Sequence, residues 1–371
     1  MSSLASHLQR AWLGRGPLAC ALWPLSWLML AIVALRRLAS ARGWMASQRL
    51  SVPVLVVGNR IAGGAGKTPA TIAILQHLQA QGHRPGVLSR GYGVHIEAPS
   101  PRLLDALSAA SLGAQDTGDE PALIHRRTGV PVMIGPRRVV SGRALLDSHP
   151  EIDILVCDDG LQHLALQRDV EVVVFDERGA GNGWLLPAGP LREPLRTAAG
   201  PGVKVAPIVL YNAAAPSTPL PGHLGQRRLG PLQALQDWWA GRSETPPPLP
   251  EHTPGAWALA GIAHPERFFQ ALRAQGWQVH GCPLPDHADF AALPWPAEVG
   301  DVIVTEKDAI KLHPERIQRE RPGTRVWVSV LDFHPEPAFW QALDSALHAV
   351  LAPPQAASPT EPTSDTPWTP D

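Results

Sequence analysis

The stretch Gly63-Gly64-Ala65-Gly66-Lys67-Thr68-Pro69 decides the fold of this chain. It follows an apolar run at residues 52–57, which predicts a strand, and it opens a predicted helix over residues 69–81. A glycine-rich turn between a strand and a helix directs backbone N–H groups at an anion. Lys67 can reach the outer phosphates of a nucleotide, and the Thr68 hydroxyl can join a Mg²⁺. The stretch therefore predicts a nucleoside triphosphate site formed by Gly63, Gly64, Ala65, Gly66, Lys67 and Thr68.

The loop departs from the strict pattern G-x-x-x-x-G-K-[ST] at its first position, where Ile61 stands. Gly58, Gly63 and Gly64 surround that position, so glycines are present but displaced. The alternative is a glycine-rich turn that binds no ligand. The flanking strand and helix favour the phosphate site, because they supply the context that the motif requires.

The composition limits the classes of function. A chain of 371 residues fits two domains. The net charge of −1 gives no indication of a groove for nucleic acid, so we expect no nucleic-acid partner. Cys20, Cys157 and Cys282 lie far apart and form no C-x-x-C. That spacing argues against a zinc site or a disulfide framework and fits a reducing compartment.

Residues 16–35 read GPLACALWPLSWLMLAIVAL and contain no charge. About 20 apolar residues can span a bilayer core. A secretory signal peptide is disfavoured, because a phosphate loop needs cytoplasmic nucleotide and no small-x-small cleavage site precedes Arg36. A buried core helix is the other alternative. We favour a membrane anchor that spans the bilayer or lies in its interface. The arginines after Leu35 would keep the rest of the chain on the cytoplasmic side.

Apolar strands alternate with helical stretches through the middle of the chain, which indicates a parallel sheet covered on both faces. The fold class is therefore α/β, with a P-loop NTPase-type domain, a smaller C-terminal α/β domain and an N-terminal membrane-associated helix. Residues 213–254 are rich in Pro and Gly and predict a linker region. The expected division is an anchoring segment at 1–50, the P-loop domain at 51–235, the second domain at 236–351 and a disordered tail at 352–371.

Two pairs of acidic residues stand at positions that suit phosphate chemistry. Asp158 and Asp159 end an apolar strand, where a carboxylate facing a phosphate loop holds Mg²⁺. Asp119 and Glu120 precede a predicted helix. Asp119 is either an ordinary helix cap or a carboxylate near the phosphates that acts as a base or a metal ligand. His163 either orients the metal shell or makes a structural hydrogen bond.

Further along the chain, several loops carry polar residues. Residues 181–194 contain three prolines and three glycines, which predicts a rigid loop beside the site, with Arg192 available for an acidic substrate group. Arg137 and Arg138 are interpreted as a solvated face rather than as phosphate contacts. The strings around His264, His287 and Lys307 suggest a cleft between two domains.

These strings together resemble one family, the tetraacyldisaccharide 4′-kinases that phosphorylate the lipid A precursor of Gram-negative bacteria. The matching stretches run in the family's order from about residue 52 to about residue 311: VGNRIAGGAGKTP, LSRGYG, GDEP, DDGLQH, GNGWLLPAGPLREP, AGIAHPERFF, PDH and TEKDAIK. The displaced first glycine is itself the family's form of the loop. Ile310 stands where the family commonly has Val, and the Pro-rich tail after Leu351 lies outside the family pattern.

The resemblance implies transfer of the ATP γ-phosphate to the 4′-hydroxyl of an acylated glucosamine disaccharide 1-phosphate. It implies ATP and Mg²⁺, two α/β domains with a cleft between them, and an enzyme at the cytoplasmic face of the inner membrane. We expect a monomer. An acylated acceptor also suits a membrane enzyme physically, since withdrawing acyl chains from a bilayer costs about 0.8 kcal/mol per CH₂.

The resemblance also implies roles for single residues. Lys67 and Thr68 would bind phosphate and Mg²⁺, Asp158 and Asp159 would be the metal-side acids, and Glu120 would lie near the metal. Asp119 would be the catalytic base, supported by His287 from the second domain. Two other interpretations remain open, namely a membrane-associated ATPase switch of the partition or metal-insertion type and a soluble small-molecule kinase or ligase.

Overall fold

Apolar strands alternating with helices build one long sheet. The computed structural model describes residues 3–91, 100–109, 112–195, 199–200, 203, 205–242 and 255–351, with the side chains of residues 3–6 left aside. Within those residues the sheet has twelve strands in the order β10-β9-β11-β12-β8-β7-β6-β1-β5-β2-β4-β3. The mixed α/β class predicted from the sequence is confirmed.

The strands are β1 (Val54–Gly58), β2 (Pro85–Ser89), β3 (Arg102–Leu104), β4 (Val132–Ile134), β5 (Ile154–Asp158), β6 (Val170–Asp176), β7 (Ile208–Asn212), β8 (His223–Ala234), β9 (Ala256–Ala260), β10 (Val279–Pro283), β11 (Asp301–Thr305) and β12 (Arg325–Pro335). The helices are α1 (Ser3–Ala11), α2 (Pro17–Ala41), α3 (Lys67–Ala80), α4 (Ala114–Thr117), α5 (Asp119–Thr128), α6 (Arg138–Ser148), α7 (Leu235–Ala240), α8 (Pro265–Ala274), α9 (Glu306–Ala309), α10 (Pro314–Glu320) and α11 (Pro337–Leu351).

Strand β1 lies in the centre of the first half of the sheet, between β5 and β6 and parallel to both. Its successive side chains enter different apolar clusters, as in a sheet with both faces covered: Leu55 and Val57 belong to one cluster, Val54 and Val56 to another. The register pairs Val57 with Asp158. The phosphate loop after β1 and the acids at the end of β5 therefore open at the same edge of the sheet.

Strand β8 joins the two halves of the sheet. It pairs with β12 in the antiparallel direction along most of its length and with the last part of β7 in the parallel direction. The interpretation of residues 213–254 as a linker is wrong for β8 and α7, since both are regular elements. The glycines of this region do not all mark a linker. Gly225 lies in β8 and leaves room for the ring of Phe333, since a Cβ at this position would lie 2.3 Å from the ring. Residues 243–254 and the tail at 352–371 lie outside the described residues, and the domain boundary at 235 stays a prediction.

Helix α2 contains residues 17–35 of the uncharged run predicted as a membrane anchor and continues to Ala41, with Pro24 inside it. Among the described residues it is the helix that is long and apolar enough to cross a membrane. One side of it contacts the proline-rich loop: Ser26 donates a hydrogen bond to the Leu185 carbonyl at 2.7 Å, and Arg37 pairs with Glu193 at 2.8 Å. The helix is thereby attached to the loop that was predicted to line the site.

Candidate active site

The phosphate loop is held in shape by side chains of β7 and β8, strands near the centre of the whole sheet. Gly66 adopts a left-handed conformation with φ of 74° at the start of α3, which favours glycine. A Cβ at this position would lie 1.9 Å from the amide nitrogen of Asn212. That Asn212 nitrogen donates to the Ala65 carbonyl at 3.3 Å, and its oxygen accepts from Arg227 Nε at 2.6 Å. A side chain at residue 66 would displace this support.

Lys67 and Thr68 are the first residues of α3, so they stand beside the backbone amides that a phosphate would meet. The Lys67 ammonium lies 3.7 Å from Asp159 Oδ1. Arg192, from the proline-rich loop, also reaches Asp159 Oδ1 at 3.3 Å. Asp159 has a positive φ of 53°, which turns it out of the β5 direction toward these cations. The structure thus brings together the loop lysine, one strand-end acid and the predicted substrate arginine.

Asp158 is buried at the end of β5, and its Oδ1 accepts a hydrogen bond from Thr71 at 3.4 Å. Burial, followed by the negative charge of Glu120, raises the pKa of Asp158 to about 7, while Lys67 acts in the opposite direction. Two acids crowded at one buried position resist ionising together unless a cation joins them. This environment suits a site that receives a positively charged metal.

Asp119 begins α5, and His287 lies in the loop that follows β10. The two residues are 168 positions apart in the chain, yet His287 Nδ1 lies 2.8 Å from Asp119 Oδ2. Burial alone would raise the pKa of Asp119, but the hydrogen bond from His287 and the charges of Lys307, His287 and Lys311 lower it overall. The same hydrogen bond raises the pKa of His287. The contact therefore favours a carboxylate paired with an imidazolium.

Glu120, the next residue of α5, pairs with Lys307 of the second half of the sheet at 2.6 Å. The charge of Lys307 lowers the pKa of Glu120. Glu120 also interacts electrostatically with Asp158 and Lys67, so it lies close to the phosphate loop as well as to the second half of the sheet. All predicted site residues are thus found at one edge of the sheet, on the loop after β1, the end of β5, the start of α5 and the loop after β10.

Comparison with known proteins adds to this geometry. The family model described as tetraacyldisaccharide-1-P 4'-kinase matches residues 18–348. The chain belongs to this family. A tetraacyldisaccharide 4'-kinase of Methylibium petroleiphilum is 56% identical over 358 residues, which cover 94% of this chain and 95% of that relative. The enzyme of the same name from Leptothrix cholodnii is 53% identical over 349 residues, covering 93% and 97%.

A solved structure has the same fold. The crystal structure of LpxK from Aquifex aeolicus, determined in complex with ATP, aligns with a TM-score of 0.72 at 24% identity and covers 90% of this chain and 100% of that one. The resemblance stated from the sequence motifs is confirmed by the family match. The roles of the individual side chains remain predictions, which the geometry described above makes specific.

Several residues of the site were missed by sequence reasoning. Asn212 and Arg178 support the phosphate loop from the ends of the neighbouring strands, the latter by donating to the Gly64 carbonyl at 2.6 Å. An asparagine that ends a strand carries no distinctive signal in the sequence. Arg138 was interpreted as solvated but is buried, and it donates to the Gly135 carbonyl at 2.7 Å and the Asp158 carbonyl at 3.3 Å. The prediction failed because nothing in the sequence shows that the start of α6 turns inward.

The site of the predicted Mg²⁺ has suitable donors but no preassembled cage. Within the described part of the chain, no group of three or more His, Cys, Asp or Glu side chains is arranged to hold a metal ion. Mg²⁺ in phosphate-transfer sites is usually held by one or two carboxylates, water and the phosphates themselves. Thr68 and Asp158 fit that need, and Glu120 and Asp159 already carry cationic partners.

His163 is half-buried, and burial followed by the charge of Arg138 lowers its pKa to about 4, so it is a neutral imidazole.

Asp158→Asn is expected to stabilise the protein without nucleotide or Mg²⁺, and more so at higher pH. An unfolded Asp titrates near 3.9, whereas the pKa of Asp158 in the fold is about 7. Between these values the folded state binds more protons, so wild-type stability falls as pH rises, and the variant does not share that loss. The gain in Tm over wild type should grow by roughly 2 °C or more from pH 5 to pH 8 in thermal scans. A gain that is independent of pH would contradict the assignment.

Proposed function

We propose that this chain transfers the γ-phosphate of ATP to the 4′-hydroxyl of a tetraacyldisaccharide 1-phosphate, the step of lipid A biosynthesis that gives its family its name. Family membership supports the reaction class. The observation that carries the lipid acceptor is a cavity of about 310 Å³ between α2 and the catalytic edge of the sheet. Such a cavity has no use in an ATPase switch, which needs no acceptor.

The cavity combines apolar and cationic surfaces in a way that suits an acylated sugar phosphate. Met29 and Val33 of α2 supply apolar surface, whereas Arg36, Arg60 and Arg192 supply positive charge. The two glutamates of the lining are each paired with an arginine, Glu171 with Arg168 and Glu193 with Arg37. Arginine is well suited to phosphate, because its planar group can donate two parallel hydrogen bonds. Because Arg192 also contacts Asp159, an acceptor held here would lie next to the phosphate loop. This arrangement disfavours the soluble small-molecule kinase as well.

The proposed chemistry divides among the residues as follows. The loop amides and Lys67 would neutralise phosphate charge. Thr68 and Asp158, supported by Asp159 and Glu120, would hold the Mg²⁺, which would add to this neutralisation when bound. Asp119 would accept the proton of the acceptor hydroxyl. Its pKa is low, which makes it a weak base, so the contact with His287 would help by sharing that proton.

The enzyme would act as a monomer at the cytoplasmic face of the inner membrane. Arginines at positions 36, 37, 42 and 49 follow the apolar segment, which supports the cytoplasmic orientation. On α2, Leu25, Leu28, Ile32 and Leu35 are exposed on one side of the helix while Ser26 is buried against the loop. A helix attached to the protein along one side and apolar on the other suits binding in the plane of the interface.

Lys67→Ala and Thr68→Ala should each reduce kinase activity by about 100-fold or more, because charge on the outer phosphates would no longer be met. The measurement is phosphorylation of the lipid acceptor with labelled ATP, with circular dichroism to verify the fold. Arg143→Ala, on the exposed side of α6, is the control and should leave turnover unchanged. Near-normal turnover in folded Lys67→Ala would remove the nucleotide assignment.

Asp119→Asn and His287→Ala should each lower kcat strongly, with ATP binding little changed. Residues that act as a unit lose most of their effect in the first substitution, so the double variant should be scarcely slower than the slower single variant. Steady-state kinetics of the four proteins form the required cycle. If the two losses multiply, or if His287→Ala stays within about threefold of wild type, the pairing has no catalytic role.

Replacing Leu25, Leu28, Ile32 and Leu35 together by Gln should turn a membrane-bound protein into a largely soluble one. Their exposed apolar surface would drive binding to the bilayer, whereas the contacts of Ser26 and Arg37 with the loop would persist. Vesicle flotation measures binding, and activity should fall more on vesicle-embedded than on detergent-dispersed acceptor. Leu107→Gln, at an exposed apolar residue of the loop after β3, is the control. If the quadruple variant still floats fully with vesicles, α2 is not the anchor.

A further inference from the structure

The turn at residues 305–308 contains the last residue of β11 and most of α9, and it contacts both the helix that carries Asp119 and the segment that supports His287. Its four residues read Thr-Glu-Lys-Asp. Lys307 reaches Glu120, as described above. Glu306 and Asp308 are both buried, and neither contacts the phosphate loop through any hydrogen bond or ion pair found among the described residues. Glu306 has its ion-pair partner in the helix that carries Asp119, and Asp308 has a partner in the backbone that supports His287.

Glu306 fixes the far end of the helix that carries Asp119. Its carboxylate accepts from Arg127 Nη1 at 3.0 and 2.8 Å, from the Trp238 indole at 3.2 Å and from the Leu331 backbone at 2.9 Å. Every partner is a donor, so an amide in place of the carboxylate would set its own N–H groups against donors. The buried position therefore requires a carboxylate.

Arg127 lies in the last turn of α5, eight residues after Asp119 and so about 12 Å along the helix axis. Its second nitrogen pairs with Asp332 of β12 at 2.7 Å. The neighbouring Arg126 donates to the Trp238 carbonyl. The C-terminal end of α5 is thus fastened to the second half of the sheet. Because a helix is stiff, its fastening there sets where Asp119 stands at the other end.

Asp308 fixes the loop that carries His287. Its carboxylate accepts from the Gly261 backbone at 3.1 and 3.2 Å and from the Thr305 hydroxyl at 2.6 Å. The Gly261 carbonyl in turn accepts from the His287 backbone at 3.1 Å. His287 has a positive φ of 60°, so its backbone conformation needs such support. Lys311 lies 3.8 Å from both Asp308 and Asp119, which links the two sides.

We propose that Glu306 and Asp308 are positioning residues, which from one turn align the carboxylate of Asp119 with the imidazole of His287 across the two halves of the sheet. The hydrogen bonds and ion pairs found for both side chains go to groups outside the phosphate loop. The inference rests on the proposed catalytic role of the pair for its effect on turnover. The alignment itself is a statement about geometry and is tested without substrate.

The first experiment compares Glu306→Gln and Asp308→Asn with the matched control Asp301→Asn. Asp301 is a buried acid at the opposite end of β11, and it likewise accepts from an arginine, Arg325, and from a tryptophan indole, Trp327. Glu306→Gln and Asp308→Asn should lower kcat at least tenfold with KM for ATP within threefold. Asp301→Asn should lose a similar number of degrees in Tm but keep kcat within twofold. Equal losses of kcat in all three variants would overturn the proposal.

The second experiment reads the alignment directly in the protein without ligands. With ¹⁵N-labelled histidine, the Nδ1 proton of His287 should give a hydrogen-bonded NMR signal that His287→Ala removes. Glu306→Gln should weaken or shift that signal, and Asp301→Asn should not. An unchanged signal in Glu306→Gln would overturn the proposal even if turnover fell. Should Glu306→Gln fail to fold, Arg127→Lys retains the charge but cannot reach Glu306 and Asp332 together, and the same outcomes apply.

A double variant separates this proposal from the proposed function. In the His287→Ala background, Glu306→Gln should lower kcat by less than twofold, because no imidazole remains with which Asp119 could be aligned. A full tenfold further loss would show that Glu306 acts elsewhere and would overturn the positioning role. If His287→Ala alone is almost fully active, the proposed catalytic role of the pair is wrong. The NMR signal still tests whether Glu306 aligns Asp119 with His287.

Discussion

Negative charge at the catalytic edge of the sheet is the constraint on which the rest of the site depends. Asp119, Glu120, Asp158 and Asp159 all stand near one phosphate loop, although the nucleotide proposed to bind there is itself an anion. Three members of this group pair with cationic side chains: Asp159 with Lys67 and Arg192, Glu120 with Lys307, and Asp119 with His287. Asp158 has no such ion pair among the described residues, and burial, followed by the negative charge of Glu120, raises its pKa. A bound metal ion would remove that cost.

The same constraint explains why the two halves of the sheet meet at α5. Two of the balancing groups, Lys307 and His287, come from the second half of the sheet, whereas the acids come from the first. The helix between them is fastened at its C-terminal end by Glu306 and Asp332 and at its N-terminal end by His287 and Lys307. A phosphate loop alone can bind a nucleotide, but the proposed base is aligned only when both halves are in place.

Features that depend on residues close together in the chain were predictable from the sequence, whereas features set by tertiary packing were not. The phosphate loop and the β5 acids were predictable, because strand, turn and helix are local and the motif has a mechanism. The pairing of Asp119 with His287 came from the resemblance to a family, since no local pattern joins residues 168 positions apart. The support of the loop by Asn212 and the bonds of Glu306 were not predictable at all. They are set by tertiary packing, as is the strand β8 in a region whose glycines and prolines suggested a linker.

Helix α2, the proposed membrane anchor, is connected to the charge balance of the site. Arg37 of this helix pairs with Glu193. Gln162, in the loop after β5, donates a hydrogen bond to the same Glu193 at 3.1 Å, and its side-chain oxygen accepts one from Arg192 at 3.4 Å. A chain of polar contacts therefore runs from the anchoring helix to Arg192 and on to Asp159 beside Lys67. The cavity proposed for the acceptor lies along this chain. Because apolar side chains of α2 and arginines line the same cavity, an acylated sugar phosphate bound there would pack its acyl chains against the former and pair its phosphate with the latter.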